Sequence, residues 1–408
     1  MSGAWSLEQA EAHLLSLELF GMRFGLERMR RLLIALGSPQ RDFRAIHVVG
    51  TNGKSSTVRM TAAILEAHGV HAGSYLSPHL SSFAERVRVG DEDLAPAAFG
   101  AAVQRAAAAA AMVDRTLSGG ERVTQFELMT AAALSELAAR DVEVAVVEAG
   151  LGGRHDATNV LDAPVVALTN VGLEHTRWLG PTVSDIAREK LAVLAPGATL
   201  VVGELDPEAE AEVARVGARV VRAGIGEEPG LRGFQRANFA VARAAAEALA
   251  GPLDAAAVLR AAASVAVPGR FQVVAEDPLM IFDAAHNPSG VVALTAALRE
   301  AIGERPLVAV VSVLDDKDAA GMLGVLLPLC FRAVFTASRN PRALSPATLA
   351  SLAGQLGGPP AEIEPDPRRA VQRARELAGR DGAVVATGSI YLVADLLSDP
   401  GRRAASAL

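Results

Sequence analysis

Short apolar runs with little polar alternation recur along the chain, at 45–49, 142–147, 164–168 and 199–203, and again at 307–313, 333–337 and 382–387. Runs of this kind suit strands buried on both faces, as in parallel α/β sheets, rather than half-exposed strands of period two. The stretches between them carry helix signals. Ser6-Leu7-Glu8-Gln9 is a capping box opening a helix to about Phe20, a second helix covers 26–36 and stops at Gly37 and Pro39, and 58–68 has Met60, Ile64 and Leu65 at helical intervals. Further helices are expected at 93–112, started by Pro96, at 126–139, at 182–194 behind a Thr182 cap, and at 207–216, 234–250 and 254–263. Shorter strands are expected at 72–76 and 219–222, and 83–89 reads as a loop with a basic edge at Arg86 and Arg88. Val267-Pro268-Gly269-Arg270 is the best domain junction, because the α/β rhythm restarts after it with strands near 271–274 and 279–282. The pattern predicts two doubly wound α/β domains, 1–267 and 268–408, with a nucleotide in the cleft they share.

One stretch organises the rest. The apolar run 45–49 feeds Gly50-Thr51-Asn52-Gly53-Lys54-Ser55-Ser56-Thr57 and then a helix. Backbone N–H groups of such a glycine-bracketed loop and the positive end of the following helix favour a polyphosphate; the lysine reaches the outer phosphates and a hydroxyl can ligate Mg²⁺. The common phosphate-loop pattern has its first glycine six residues before the lysine, where this chain has Val48, so a shorter loop is implied around an ATP or GTP. An ordinary Gly-Asn turn is the bland alternative.

Composition narrows the field. With 408 residues, half of them hydrophobic, the chain can bury large cores. No apolar run reaches the roughly 18 residues of a membrane span, and Glu8 stands where a secretory signal would be basic and then apolar, so the cytoplasm is the expected compartment. The lone cysteine, Cys330, lies in an apolar setting and is read as a packing thiol. A net charge of −7 and few aromatics argue against a nucleic-acid surface and for a small substrate. Only three of the 39 Lys and Arg are lysines, Lys54, Lys190 and Lys317, leaving 36 arginines. A lysine retained in such a chain marks a place where a guanidinium fails: a compact ammonium on phosphate, or an amine that must react.

An acid closing an apolar strand is where α/β folds place metal ligands, and Glu148 fits, followed by a glycine-rich turn. His175, beside Glu174, sits similarly beyond 164–168, although Mg²⁺ prefers oxygen and a lone histidine is more often a polar tip packed in a turn.

Taken together, these residues resemble the dihydrofolate synthase/folylpolyglutamate synthase family, within the larger Mur ligase group of ATP-dependent amide-forming enzymes. The resemblance runs over almost the whole length. It shows in Gly50-Thr51-Asn52-Gly53-Lys54, Tyr75-Leu76-Ser77-Pro78-His79-Leu80 with Glu85-Arg86-Val87, Glu148-Ala149-Gly150-Leu151-Gly152-Gly153-Arg154 with Asp156-Ala157-Thr158-Asn159, His175-Thr176, Glu189-Lys190, Pro268-Gly269-Arg270-Phe271, Asp283-Ala284-Ala285-His286-Asn287-Pro288, Asp316-Lys317-Asp318 and Gly388-Ser389. It implies a Mur-ligase-like architecture, a phosphate-loop ATPase domain plus a smaller Rossmann-like C-terminal domain. The implied nucleotide site is Thr51, Asn52, Gly53, Lys54, Ser55 and Ser56, with Asn238 toward the adenine and Arg270, Asp283 and His286 from the second domain. Mg²⁺ would be held by Ser56, Ser77, Glu148 and His175, and Lys190 would be carbamylated into an anionic, carboxylate-like group. The pterin-bearing substrate would meet Gly25, Leu26, Glu27, Arg28, Thr124, Gln125, Phe126, Glu127 and Asp156, with Ser389 toward the glutamate side. This chain departs from the family pattern at Ser55, usually glycine, which leaves Ser55 or Ser56 as the metal hydroxyl, and at Ala149, Glu174 and Phe234.

The resemblance implies a ligase that joins L-glutamate to dihydropteroate, to a folate, or to both, through an acyl phosphate, and that acts as a monomer on small molecules. A ligase for a cell-wall precursor is disfavoured, since a nucleotide-sugar substrate should need an added N-terminal domain and little chain precedes the strand at 45. A non-catalytic nucleotide-binding protein would have lost Lys190, His175 or Arg270, and all are present.

Overall fold

In the computed structural model, which describes residues 3–18, 25–226, 228 and 230–398, the apolar runs build two sheets. The strands of the first are β1 (Arg44–Val49), β2 (Ala72–Tyr75), β3 (Val87–Val89), β4 (Glu92–Asp93), β5 (Val144–Glu148), β6 (Val165–Leu168), β7 (Thr199–Val202) and β8 (Arg219–Arg222), in the order β4-β3-β2-β5-β1-β6-β7-β8. β1 lies at the centre, parallel to β5 on one side and β6 on the other. β5 and β6 are buried at every position and β1 at all but its first, as expected for strands covered on both faces. The second sheet holds β9 (Gln272–Glu276), β10 (Leu279–Phe282), β11 (Leu307–Val311), β12 (Arg332–Phe335), β13 (Ala361–Ile363) and β14 (Ala383–Thr387), ordered β13-β12-β11-β14-β10-β9, with β9 antiparallel. The chain divides accordingly into two compact units. The described residues up to Leu231, with Gln235–Val265, form the first; Arg232–Phe234 and the described residues from Ala266 onward form the second.

Helices cover the first sheet. α1 (Leu7–Leu15), α2 (Glu27–Ala35), α4 (Pro96–Asp114) and α5 (Gln125–Ala139) share one core with Tyr75, Ala145 and Val147, while α3 (Lys54–Ala67) packs against β2 and β5. Further on, α6 (Thr176–Leu179) and α7 (Val183–Leu191) follow β6, and Ile186, Ala187 and Leu191 join a smaller core with Val166, Leu168 and Leu200. The capping boxes form as sequence predicts. Gln9 N donates to Ser6 Oγ at 3.3 Å while Ser6 N donates back to Gln9 Oε1 at 2.8 Å, and Thr182 and Asp185 do the same for α7. The second unit's core gathers Leu294, Leu298, Ala309, Val311, Phe335 and Val385.

Four expectations change. α1 ends at Leu15, with Ser16 as its cap, and Phe20 lies outside the described residues. α3 begins at Lys54, because Gly53, at φ +82°, already caps it. The span 83–89 is no loop: a 3₁₀ turn, Phe83–Arg86, leads into β3, which pairs antiparallel with β2. Arg88 is tolerated in that strand because Asp91 and Asp93 hold its guanidinium. The helix expected from 93 starts at Pro96, since Glu92 and Asp93 pair with β3. Among the described residues no helix is long and apolar enough to cross a membrane.

The approach of α1 to α4 depends on Gly100, where an added Cβ would fall 1.9 Å from the Trp5 carbonyl oxygen. Gly100→Val is expected to lower the unfolding free energy by about 1–3 kcal/mol in chemical denaturation; unchanged stability would contradict this packing.

Candidate active site

The loop after β1 is clasped by the residues that follow β6. Thr51 N donates to Asn170 O at 3.0 Å, Asn52 N to Asn170 Oδ1 at 2.9 Å, and Thr169 Oγ1 to Asn52 O at 2.7 Å. Thr51 Oγ1 also accepts from Gly172 N at 3.0 Å. Two glycines are required here. Gly50, at φ +152°, would place a Cβ 1.9 Å from Thr169 Oγ1, and Gly53 would place one 2.2 Å from Asn238 Oδ1. Asn238 therefore lies against the loop, with its Nδ2 buried and lacking a hydrogen-bond partner.

Both candidate lysines reach one atom. Lys54 Nζ donates to Gly50 O and Thr51 O, each at 3.1 Å, and Lys190 Nζ donates to Gly50 O at 2.7 Å. Lys190 lies in the last turn of α7 and is 4% exposed. Its burial, and then the neighbouring Lys54 charge, push its pKa down to about 7, while Glu174 and Asp156 oppose the shift. At the end of β5, Glu148 accepts from Ser55 Oγ at 3.0 Å and from Ser77 N at 3.1 Å. Ser55 is thus engaged with the carboxylate, whereas the Ser56 hydroxyl is buried without a hydrogen-bond partner. An orphaned hydroxyl and a strand-end carboxylate are oxygen donors of the kind a hard divalent cation takes, so these residues fit Mg²⁺. His175 stands at φ +51° as the cap of α6, its Nε2 3.8 Å from Glu174 Oε1.

The residues expected at the pterin end form a second group in the same unit. Arg28, buried, pairs with Glu127 at 3.1 Å and Glu121 at 3.3 Å. Glu127 also closes the capping box of α5 with Thr124, and Gln125 Nε2 donates to Leu14 O at 2.8 Å. Phe126 packs against Gly150 and stacks at 6.4 Å on Tyr75. Leu26 caps α2, and Gly25, Glu27 and Arg28 line a cavity of about 360 Å³ whose far wall is Thr116, Leu117, Ser118 and Glu121. Asp156 is buried, its carboxylate accepting from Leu151 N at 2.7 Å and Thr158 N at 3.0 Å, and burial raises its pKa.

In the second unit, Asp283 follows β10 and accepts from Phe271 N and Ala285 N, each at 2.8 Å. Its burial raises its pKa, against the pull of Arg270. His286 Nδ1 lies 2.9 Å from Ala284 O, and Ser389, after β14, caps the helix Ile390–Leu397. Since β10 and β14 are parallel neighbours, Asp283 and Ser389 share one edge of that sheet.

Sequence reasoning missed Thr169, Asn170 and Gly172, which hold the loop, and the contact of His47 with Thr158, the latter named only within the Asp156-Ala157-Thr158-Asn159 motif. A Thr-Asn pair directly after an apolar run was the available signal for the first group; nothing in the sequence pointed to the second.

Residues 269–390 match the model of the Mur ligase glutamate ligase domain, so the second unit is that of a Mur-type ligase. The dihydrofolate synthase/folylpolyglutamate synthase of Mycobacterium tuberculosis is 36% identical, over 92% of this chain and 84% of its own. Escherichia coli FolC, solved in complex with DHPP and ADP, superposes with a TM-score of 0.87 at 30% identity, over 97% of each chain. A bifunctional folylpolyglutamate synthase/dihydrofolate synthase solved with Mn, AMPPNP and L-glutamate bound gives a TM-score of 0.83 at 32% identity, over 95% of this chain and 97% of its own. The chain belongs to the dihydrofolate synthase/folylpolyglutamate synthase family.

Lys190 yields a pH prediction. Its pKa falls from 10.5 to about 7 on folding, so between those values the unfolded chain binds the extra proton and stability rises with pH. Below pH 7 the folded protein carries a buried ammonium at a cost. Lys190→Met is therefore expected to be more stable than wild type at pH 6–7, with the advantage shrinking toward pH 10, as read from paired denaturation curves; an advantage independent of pH would contradict the burial argument.

Proposed function

We propose that this chain is an ATP-dependent ligase that joins L-glutamate to dihydropteroate, to a reduced folate, or to both, acting in the cytoplasm as a monomer. The observation that carries the reading is the clasped glycine loop with Lys54 and Lys190 on one carbonyl beside the Ser55–Glu148–Ser77 group. Membership of the family supports it, as do the nucleotide, DHPP, metal and glutamate named for the solved relatives. In this reading 1–267 is the ATPase domain and 268–408 the glutamate ligase domain.

A carboxylate is a poor acyl donor, so the γ-phosphoryl group passes to it first and an acyl phosphate forms. The loop amides from Thr51 to Ser56 cradle the phosphates, Asn238 lies toward the adenine, and Lys54 leaves the loop carbonyls to offset charge on the transferring oxygens. Ser56, Ser77, Glu148 and His175 would hold Mg²⁺, which would neutralise further charge on the phosphates. Lys190, whose burial brings its pKa down to about 7 and so leaves a neutral fraction near pH 7, is the amine that CO₂ can convert to a carbamate, a role closed to arginine. Arg28, Phe126, Glu127 and Asp156 hold the pterin end. Arg270, Asp283, His286 and Ser389 serve the nucleotide and the incoming glutamate, whose neutral α-amine attacks the acyl carbon. The tetrahedral species collapses, phosphate leaves and the amide remains.

The test is incorporation of labelled L-glutamate, with ATP and with dihydropteroate or a reduced monoglutamyl folate offered separately. Labelled product with at least one acceptor is expected; ATP binding without amide formation on either would refute the reading. Lys54→Ala should lower phosphate release roughly 100- to 1,000-fold, and retained release would refute the loop assignment. Lys190→Arg should cripple turnover while circular dichroism stays unchanged; near-normal activity would reject the carbamate.

A further inference from the structure

His47 lies in the middle of β1, fully buried, where no ligand can touch it. Its Nε2 is 2.8 Å from Thr158 Oγ1. The Thr158 hydroxyl donates to Asp156 Oδ1, which also accepts from Thr158 N, while Asp156 Oδ2 accepts from Leu151 N at 2.7 Å. A hydroxyl has one proton, and here it goes to the carboxylate. The imidazole must then be the donor in its own contact, which fixes His47 as the Nε2–H tautomer. Its Nδ1, buried without a hydrogen-bond partner, is the bare lone pair. Burial also pushes the His47 pKa down to about 4, so the ring stays neutral and keeps this single donor near neutral pH.

The chain of contacts ends at the candidate site. Asp156 is held from two sides, by the glycine-rich loop that follows Glu148 and by Thr158. The same loop presses on Lys190, since a Cβ at Gly153 would fall 2.9 Å from the Lys190 carbonyl oxygen. Without the His47 donor, the Thr158 oxygen loses the partner that holds its rotamer, and the hydroxyl that bonds Asp156 alongside two backbone N–H groups is less strictly placed.

We propose that His47 is a positioning residue: through the Thr158 hydroxyl it fixes the orientation of the Asp156 carboxylate, and thereby the affinity for the pterin end of the acid substrate. The inference rests on the reading of Asp156 as a contact for that substrate.

The experiment compares His47→Leu, His47→Gln, Thr158→Val and Asp156→Asn in the full chain. It measures kcat and the separate KM values for ATP and for whichever of 7,8-dihydropteroate and tetrahydrofolate the wild type uses, with thermal midpoints alongside. His47→Leu and Thr158→Val should raise KM for the pterin substrate by roughly three- to tenfold, the range of one lost hydrogen bond, while KM for ATP holds. His47→Gln, which keeps a donor near the Nε2 position, should recover most of the loss. The variant combining His47→Leu with Thr158→Val should be no worse than its worse single, because both break one relay. A raised KM in Asp156→Asn with wild-type KM in the other two overturns the role of His47 alone. No change in Asp156→Asn removes the substrate reading of Asp156 and the proposal with it. A fall in kcat that follows lowered thermal midpoints, with both KM values unchanged, shows His47 to be structural only and also overturns the proposal. Should His47→Leu fail to fold, the isosteric Thr158→Val decides.

Discussion

The carbonyl oxygen of Gly50 receives two lysines, and much of the first unit is arranged to make that possible. β1 must be central, so that its loop is reached by Glu148 from β5 and by Thr169 and Asn170 from β6. Gly50 must lack a side chain, because Thr169 occupies the space one would need. Lys190 must be buried at the end of α7, which removes it from water and sets it beside a like charge. Burial and the Lys54 charge both disfavour an ammonium at Lys190, so Lys54 is left as the cation that a polyphosphate can draw away from the shared oxygen. The arrangement separates the two lysines by charge, one kept as the phosphate-facing ammonium and the other pushed toward the free amine.

A second device recurs in both units. Asp156 and Asp283 each follow the apolar strands, each is buried, and each accepts two backbone N–H groups from flanking turns. A carboxylate used this way gathers loop backbone into one shape, at the cost of a charge held away from water, and the pKa of each is raised accordingly. The family resemblance marks both residues as contacts for substrate or nucleotide. Their first partners in the structure are the glycine-bearing loops themselves.

This sets the limit of what sequence could tell. The central strands, the phosphate loop and the capping boxes were legible, since each is a local pattern with a local cause: unbroken apolar runs, bracketing glycines, a hydroxyl three residues before an acid or amide. β3 was not, because Arg86 and Arg88 look like loop residues until Asp91 and Asp93 are seen to pair with Arg88. Between Ser55 and Ser56 the sequence offered only the family spacing, which favours Ser56. In the fold Glu148 engages Ser55, a contact across 93 positions of chain, and the Ser56 hydroxyl is buried without a hydrogen-bond partner. His47 read as one more residue of a strand, and its link to Thr158, 111 positions away, exists only in the folded protein.

The account stands on the order of two events, phosphorylation of the acid before attack by the amine. The most direct measurement uses an acid substrate with both carboxylate oxygens as ¹⁸O, followed by mass analysis of the released phosphate. One ¹⁸O in each phosphate is the expected result, because the acyl–oxygen bond breaks when the amide forms. Phosphate free of label, from a reaction that still yields the amide, would contradict it.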